Sequence, residues 1–205
     1  MGTKMNSNAM RLGISKTWKS GWFAKGKQYR NYLHEDIKIH ELIKKNTKAA
    51  GLADVRIRRA SDEIIVSMTV ARPGVVIGRQ GSGIEALKNE LSKVVDGKVD
   101  LRIKEVESVD TNARIIASNI VEGIEKRQPP KLLANAEISK AMQSGAKGIM
   151  IWVSGRIRGQ KDARRLKFLD GSVPLQTLRA NIDYACEVAQ YPGAGKTSVK
   201  VWVHK

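Results

Sequence analysis

The chain has 205 residues, enough for one large or two small domains, and at 41% hydrophobic it is not disordered throughout. Lys and Arg number 37 against 20 Asp and Glu, and a formal charge of +17 on so small a chain repels itself unless a polyanion is near. No apolar run approaches the ~18 residues of a membrane span, which leaves nucleic acid as the expected polyanion.

Residues 1–35 read as a basic arm. Lys4, Arg11, Lys16, Lys19, Lys25, Lys27 and Arg30 precede the first acidic residue, Glu35, and Trp18, Trp22, Phe23, Tyr29 and Tyr32 lie among them. Cations interleaved with aromatic rings suit an arm that orders on RNA, with Lys4, Arg11, Lys16 and Trp22 as candidate contacts. The opening MGTKMNSNAM lacks the apolar core of a signal peptide, and Asn6 stands where a myristoylation signal needs Ser or Thr. A cytoplasmic protein with no membrane contact is expected.

Residues 36–107 form the next expected unit. Ile39, Leu42, Ile43, Asn46 and Ala50 keep a three-four spacing that predicts a helix over 36–51, stopped at Gly51. Two alternating strands follow, one around Val55 and Ile57 and one carrying Ile64, Val66, Met68 and Val70, turned at Ser61-Asp62. After Pro73, a short helical stretch through Val75, Val76 and Ile77 is expected to anchor a glycine loop, Gly78-Arg79-Gln80-Gly81. Ile84, Leu87, Leu91 and Val94 mark another helix, ending near Asp96-Gly97, and Val99, Leu101 and Ile103 mark a third strand. The order is α-β-β-α-α-β.

The loop spacing decides between ligands. Its G-x-x-G-x-G order does not match the G-x-G-x-x-G of a dinucleotide site. A second glycine segment, Gly193-Ala194-Gly195-Lys196-Thr197, has Gln190 where a Walker A loop needs its first glycine, and it leads into a strand rather than a helix. A G-x-x-G between two helices, after two strands and before a third, fits the clamp of a type II KH domain. There an RNA backbone passes against main chain that a Cβ would obstruct, and N–H groups at a helix start face phosphate. Arg72, Gly78, Arg79, Gln80 and Gly81 are its candidate contacts.

Residues 108–205 read as a second α+β domain. Ala113 to Ile124 give a helix ended by Pro129-Pro130, and Leu133 to Met142 give another stopped by Gly145. Four strands follow, around 149–154, 164–169, 178–188 and 197–203. They imply two helices on a mostly antiparallel sheet. In the third strand Leu178, Ala180, Ile182, Tyr184, Cys186 and Val188 form the expected apolar face, which makes Cys186 a small buried residue. On its other face Arg179 is expected to pair with Asp183 or Glu187, or to meet phosphate. The basic stretch Arg156, Arg158, Lys161, Arg164, Arg165 and Lys167, opposed only by Asp162, is a candidate RNA surface with Trp152 just upstream. Lys126, Arg127 and Lys131 form a smaller basic corner.

With one cysteine and three histidines, neither a disulfide nor a metal site of usual composition is expected. No Ser, His and acid constellation can be placed, so no catalysis and no cofactor are expected.

Three long motifs, ARPGVVIGRQG at 71–81, GAKGIMIWVSGRI at 145–157 and VPLQTLRANIDYA at 173–185, stand in order, with RLGI at 11–14 and SVKVWVHK at the end. Together they resemble the bacterial small-subunit ribosomal protein S-three family over essentially the whole chain. The resemblance implies a protein of the subunit head. It would bind ribosomal RNA, neighbour proteins S-ten and S-fourteen, and line the messenger entry channel with proteins S-four and S-five. Two departures stand out. Asn6-Ser7 replaces the family's usual His-Pro, and the helix that is often Arg- and Lys-rich keeps only Lys131, which implies a weak messenger grip there.

Overall fold

The computed structural model describes residues 4–60, 63–95, 97–191 and 195–205. The expected turn at Ser61-Asp62, the helix stop at Asp96 and the start of the Gly193–Thr197 segment lie outside them. Two compact units result: 18–107, and 108–205 together with the N-terminal residues up to Thr17.

In the first unit the strands β1 (Ser20–Gly21), β2 (Leu52–Arg59), β3 (Glu63–Val70) and β4 (Lys98–Glu105) lie in that order. β2 and β3 run antiparallel, whereas β1–β2 and β3–β4 are parallel. The alternation read from the sequence puts Val55, Ile57, Val66, Met68, Val70 and Val99 on one face. Helices α1 (Lys27–Asn46), α2 (Pro73–Ile77) and α3 (Ser82–Ser92) cover it with Ile39, Ile43, Val76, Leu87 and Leu91.

The first helix begins nine residues before the expected start. Gly26, at φ 57°, makes the entry bend, and the first two turns carry Tyr29, Tyr32 and Leu33 among polar residues with none of them buried, so the apolar period is weak there. A buried charge cluster holds those turns. Arg59, its side chain only 6% exposed, donates Nη1 to Glu35 Oε2 at 2.6 Å and Nη2 to Asp36 Oδ1 at 2.8 Å. Asp36 Oδ2 also accepts from Trp22 Nε1 at 2.8 Å and from Ser20 Oγ at 3.3 Å. Burial works against the Arg59 charge, but the two carboxylates outweigh it and its pKa rises above the ordinary arginine value. The Trp22 and Tyr32 rings flank the guanidinium at 5.9 and 4.4 Å.

The second unit carries the antiparallel sheet order β6-β5-β8-β7, with β5 Gly148–Gly155, β6 Arg164–Gly171, β7 Ile182–Tyr191 and β8 Gly195–His204. Helices α4 (Ala113–Glu125) and α5 (Pro130–Gln143) pack on one face. Ile116, Ile120 and Ile124 of α4 and Ala134, Ile138 and Ala141 of α5 meet Ile149, Ile151, Val153, Val199, Val201 and Val203. Asn112 caps α4 by accepting from the Arg114 and Ile115 N–H groups.

Two strand expectations are corrected. The third strand of this unit starts at Ile182, because 175–181 turn around Arg11 instead of pairing. The face that meets the helices is also the opposite one. Ala185 and Ala189 pack under α4 and α5, whereas Ile182 and Tyr184 join Met150, Trp152 and Trp202 on the far side. Cys186 falls on that far side and is exposed. Nor does Arg179 pair with its strand neighbours. Asp183 meets Lys16 at 3.3 Å and accepts the Ala113 N–H at the start of α4, while Glu187 lies 3.9 Å from Arg114. No helix among the described residues is long and apolar enough to cross a membrane.

Candidate nucleic-acid interface

The glycine loop is a single tight turn. α2 ends at Gly78 (φ 70°, ψ −176°), Arg79–Gly81 form one 3-10 turn, and Gly81 (φ 84°) leads straight into α3. Positive φ already requires glycine at both positions. Gly83 is required by packing, since a Cβ there would sit 2.4 Å from the Val76 carbonyl oxygen. A Cβ on Gly81 would meet no atom within 4 Å, so the main chain at the start of α3 is open to an approaching strand. No side chain caps α3; its first N–H, that of Ser82, is already given to the Arg79 carbonyl, so an anion would meet the N–H groups that follow it in the first turn.

Arg72 and Arg79 are exposed beside this turn; the Gln80 side chain is not among those described. The turn's anchoring differs from expectation. Only Val76 is buried, while Val75 and Ile77 are 55% and 38% exposed. On a helix of five residues just one position can face the core, so two aliphatic side chains stand in solvent next to the glycine turn. The alternative outlet, a cleft of about 290 Å³ between Val75, Gly83 and α1, carries the Glu90 carboxylate on its rim, bonded to Asn46 Nδ2 at 2.6 Å. That carboxylate repels a phosphate from the cleft.

The structure gives three arm residues partners within the chain, which a free arm would not have. Arg11 is 0% exposed. Its guanidinium donates to the carbonyls of Ser7, Leu175, Thr177 and Ala180, the first and last two at 2.9–3.0 Å. Burial lowers its pKa. Lys16 donates to Asn8 Oδ1 at 2.6 Å and pairs with Asp183. Trp22 is spent on Asp36 and on packing against Tyr29 and Tyr32. A basic residue in a low-complexity-looking segment reads as solvated. The signal that would have found Arg11 is the distant VPLQTLRA turn whose carbonyls it satisfies.

The remaining candidates lie at the surface. Lys126, Arg127 and Lys131 are exposed at the α4–α5 junction, where Arg127 takes the left-handed φ of 63°. Arg156 and Lys161 are exposed in the β5–β6 connection, with Arg156 Nε donating to the Lys161 carbonyl at 3.3 Å. Arg164 and Arg165 open β6, and Arg179 is exposed in the turn before β7; the Arg158 side chain is outside the described set. Sequence reasoning missed a convergence on the far side of the sheet. Lys4, Arg165 and Lys167 stand 4.9, 5.1 and 5.0 Å from the centroid of the Trp152 ring.

Comparison with known proteins agrees with the fold of the two units. The family description "KH domain" matches residues 38–111, and "Ribosomal protein S3, C-terminal domain" matches residues 120–203. The chain is similar to proteins called small ribosomal subunit protein uS3. It is 43% identical to that of Finegoldia magna over all of this chain and 84% of the relative. It is 45% identical to that of Clostridioides difficile over 99% and 75%, and 43% identical to that of Caldicellulosiruptor saccharolyticus over 100% and 92%.

Proposed function

The chain belongs to the ribosomal protein S3 family, and from that premise we propose that it binds ribosomal RNA in the head of the small subunit and helps form the messenger entry channel. It is a structural, non-enzymatic constituent of the small ribosomal subunit with an N-terminal KH domain and a C-terminal α+β domain. Its site of action is the cytoplasmic ribosome. Its neighbours there are proteins S-ten and S-fourteen, with S-four and S-five at the channel.

The observation that carries the RNA reading is the exposed Gly78–Gly81 turn. It combines main chain open to approach at Gly81 with Arg72 and Arg79 beside it, against one carboxylate, Glu85, in the first turn of α3. The basic corner at Lys126, Arg127 and Lys131 and the connection holding Arg156, Lys161 and Arg164 add charge on the second unit. Arg158, Arg165 and Arg179 complete the set of proposed contacts. Association through such cations releases counterions, so affinity falls by about 0.7 log units per phosphate and per log unit of salt on a single strand.

Two measurements test this. In a sucrose gradient the tagged chain should travel with the small subunit, and a chain that stays at the top overturns the ribosomal assignment. Changing Arg79→Asp and Gln80→Asp together should weaken single-strand RNA binding several-fold at low salt. Unchanged binding makes the loop a scaffold only.

A further inference from the structure

The far side of the C-terminal sheet carries a charge pattern that neither the glycine turn nor the α4–α5 corner accounts for. Cross-strand register puts Lys167 and Lys200 opposite Trp152 on its two neighbouring strands, and Arg165 opposite Ser154. In antiparallel pairs directly opposed residues point to the same face. Lys4, from the N-terminal segment, reaches the same indole. Three cations within 5.1 Å of one ring centroid lie within about a Debye length of each other, ~10 Å at 0.1 M salt. Their repulsion is real at that spacing, and no ion pair to Lys4, Arg165 or Lys167 occurs among the described residues.

Attraction to the ring offsets part of this cost, but a single indole has two faces to share among three charges. The three side chains are exposed, so they need not have been gathered by burial. The described part of the N-terminal segment meets the neighbouring part of the face, where Ser7 Oγ accepts from Trp202 Nε1 at 3.1 Å and Asn8 Nδ2 donates to the Tyr184 carbonyl at 2.8 Å. On β6, Leu169 is 63% exposed beside Lys167.

We propose that this Trp152-centred cluster is a phosphodiester-binding site for a single RNA strand. Lys4, Arg165 and Lys167 hold consecutive phosphates, and Trp152 with Leu169 gives the sugar and base an apolar floor. Arg165 is oriented by its Nε, which donates to Ser154 Oγ at 3.3 Å and leaves its terminal nitrogens to the ligand. The occupant is a nucleic acid rather than an acidic protein segment because flat aromatic and aliphatic surface adjoins the cations, which suits a stacked base. The inference rests on the RNA-binding reading above and deepens it, joining Arg165 of that set with Lys4, Lys167 and Trp152 into one site.

The test uses the full chain, a single-stranded oligouridylate as probe and polyglutamate as a rival polyanion. Removing two phosphate contacts with Arg165→Ala and Lys167→Ala should reduce the slope of log affinity against log salt by about 1.4, and affinity at 0.1 M salt by about 25-fold. Oligouridylate should also change tryptophan fluorescence in the parent chain, with much less change in Trp152→Phe. That variant keeps an aromatic floor and removes an indole N–H that is buried without a partner. Both changed cations are exposed, so circular dichroism should be unaltered. Wild-type slope and affinity in the double variant, with Arg79→Asp still weakening binding, overturns this site and leaves the RNA-binding reading standing. No binding by the parent chain overturns both. Polyglutamate that matches oligouridylate in affinity, fluorescence change and sensitivity to the double variant overturns the nucleic-acid assignment and gives the face to an acidic protein segment.

Discussion

Replacing Asp36 with Ala probes the cluster that ties the start of α1 to the sheet. The substitution leaves the Arg59 guanidinium, its side chain 6% exposed, with Glu35 as its remaining carboxylate, and strips Trp22 Nε1 of its acceptor. Breaking a buried ion pair by removing one partner costs about 3–5 kcal/mol, and a stranded indole N–H adds about 1–3 kcal/mol where water cannot reach it. Solvent reaching the gap offsets some of this, so a loss of about 4 kcal/mol is expected. With a urea dependence of about 1.5 kcal/mol/M, the midpoint for the first unit falls by more than 2 M. Hydrogen exchange read by mass spectrometry on peptides of α1 and β2 across urea isolates this unit from the other. Replacing the pair together, Asp36→Leu with Arg59→Met, should recover most of the loss, because well-packed apolar residues often equal a buried ion pair. A loss under about 1 kcal/mol for Asp36→Ala, or no recovery in the double variant, refutes the idea that α1 is held there by paired charge.

Other outcomes follow from single contacts. Arg11→Ala orphans four carbonyl acceptors and should cost about 3 kcal/mol or more, seen as faster proteolysis within 173–181. Gly83→Ala drives a Cβ to 2.4 Å from the Val76 carbonyl oxygen, and Gly148→Ala one to 2.5 Å from the Ser172 backbone. Each should destabilise by about 1–3 kcal/mol in a melt, whereas Gly123→Ala meets only the Leu133 side chain and should cost less. Burial alone would raise the pKa of Asp54, but hydrogen bonding and charge from Lys19 and Arg56 outweigh it and the pKa is lowered. Its folded pKa is thus below the unfolded value of about 3.9, so its contribution is complete above that pH and disappears as pH falls through the folded value. Asp54→Asn should flatten that acid limb in a pH series of urea melts. Arg127→Gly relieves a left-handed φ at an exposed position and should stabilise by about 1 kcal/mol.

The KH unit was legible because its strands are covered on one face and its helices have one apolar side, so period two and period three-four report directly on burial. The same rule failed at β7. Helices cover one face of that strand, and the N-terminal segment around Trp202 covers the start of the other at Ile182 and Tyr184, while Cys186 and Val188 further along stay exposed. The helices approach closely enough to take Ala185 and Ala189, and the bulky Ile182 and Tyr184 go to the far side. An apolar-size criterion therefore chooses the wrong face. Candidate contacts divided along a similar line. Arg72, Arg79 and Lys131, expected as contacts, are exposed, as a contact requires. Besides near neighbours, Arg11, Lys16 and Trp22 are spent on partners 169, 167 and 14 residues away in sequence, which local composition does not record. The cluster at Trp152 was half visible, as basic residues near a tryptophan, and needed strand register to bring Lys167 and Lys4 to one ring.

The bonding of Arg11 also sets an order in time. The carbonyl of Leu175 lies 164 residues further along the chain. At a synthesis rate of about 5–20 residues per second, the wait for it is roughly 8–33 s. All of 18–107 emerges in that interval and can complete its own core, while the segment before it stays solvated and basic beside the translating ribosome. The C-terminal sheet closes last, since Trp202 on its final-made strand is what Ser7 must meet. A nascent chain of this protein therefore exposes its N-terminal cations longest, and a polyanion that captured them early would compete with the folding of the unit to which they belong.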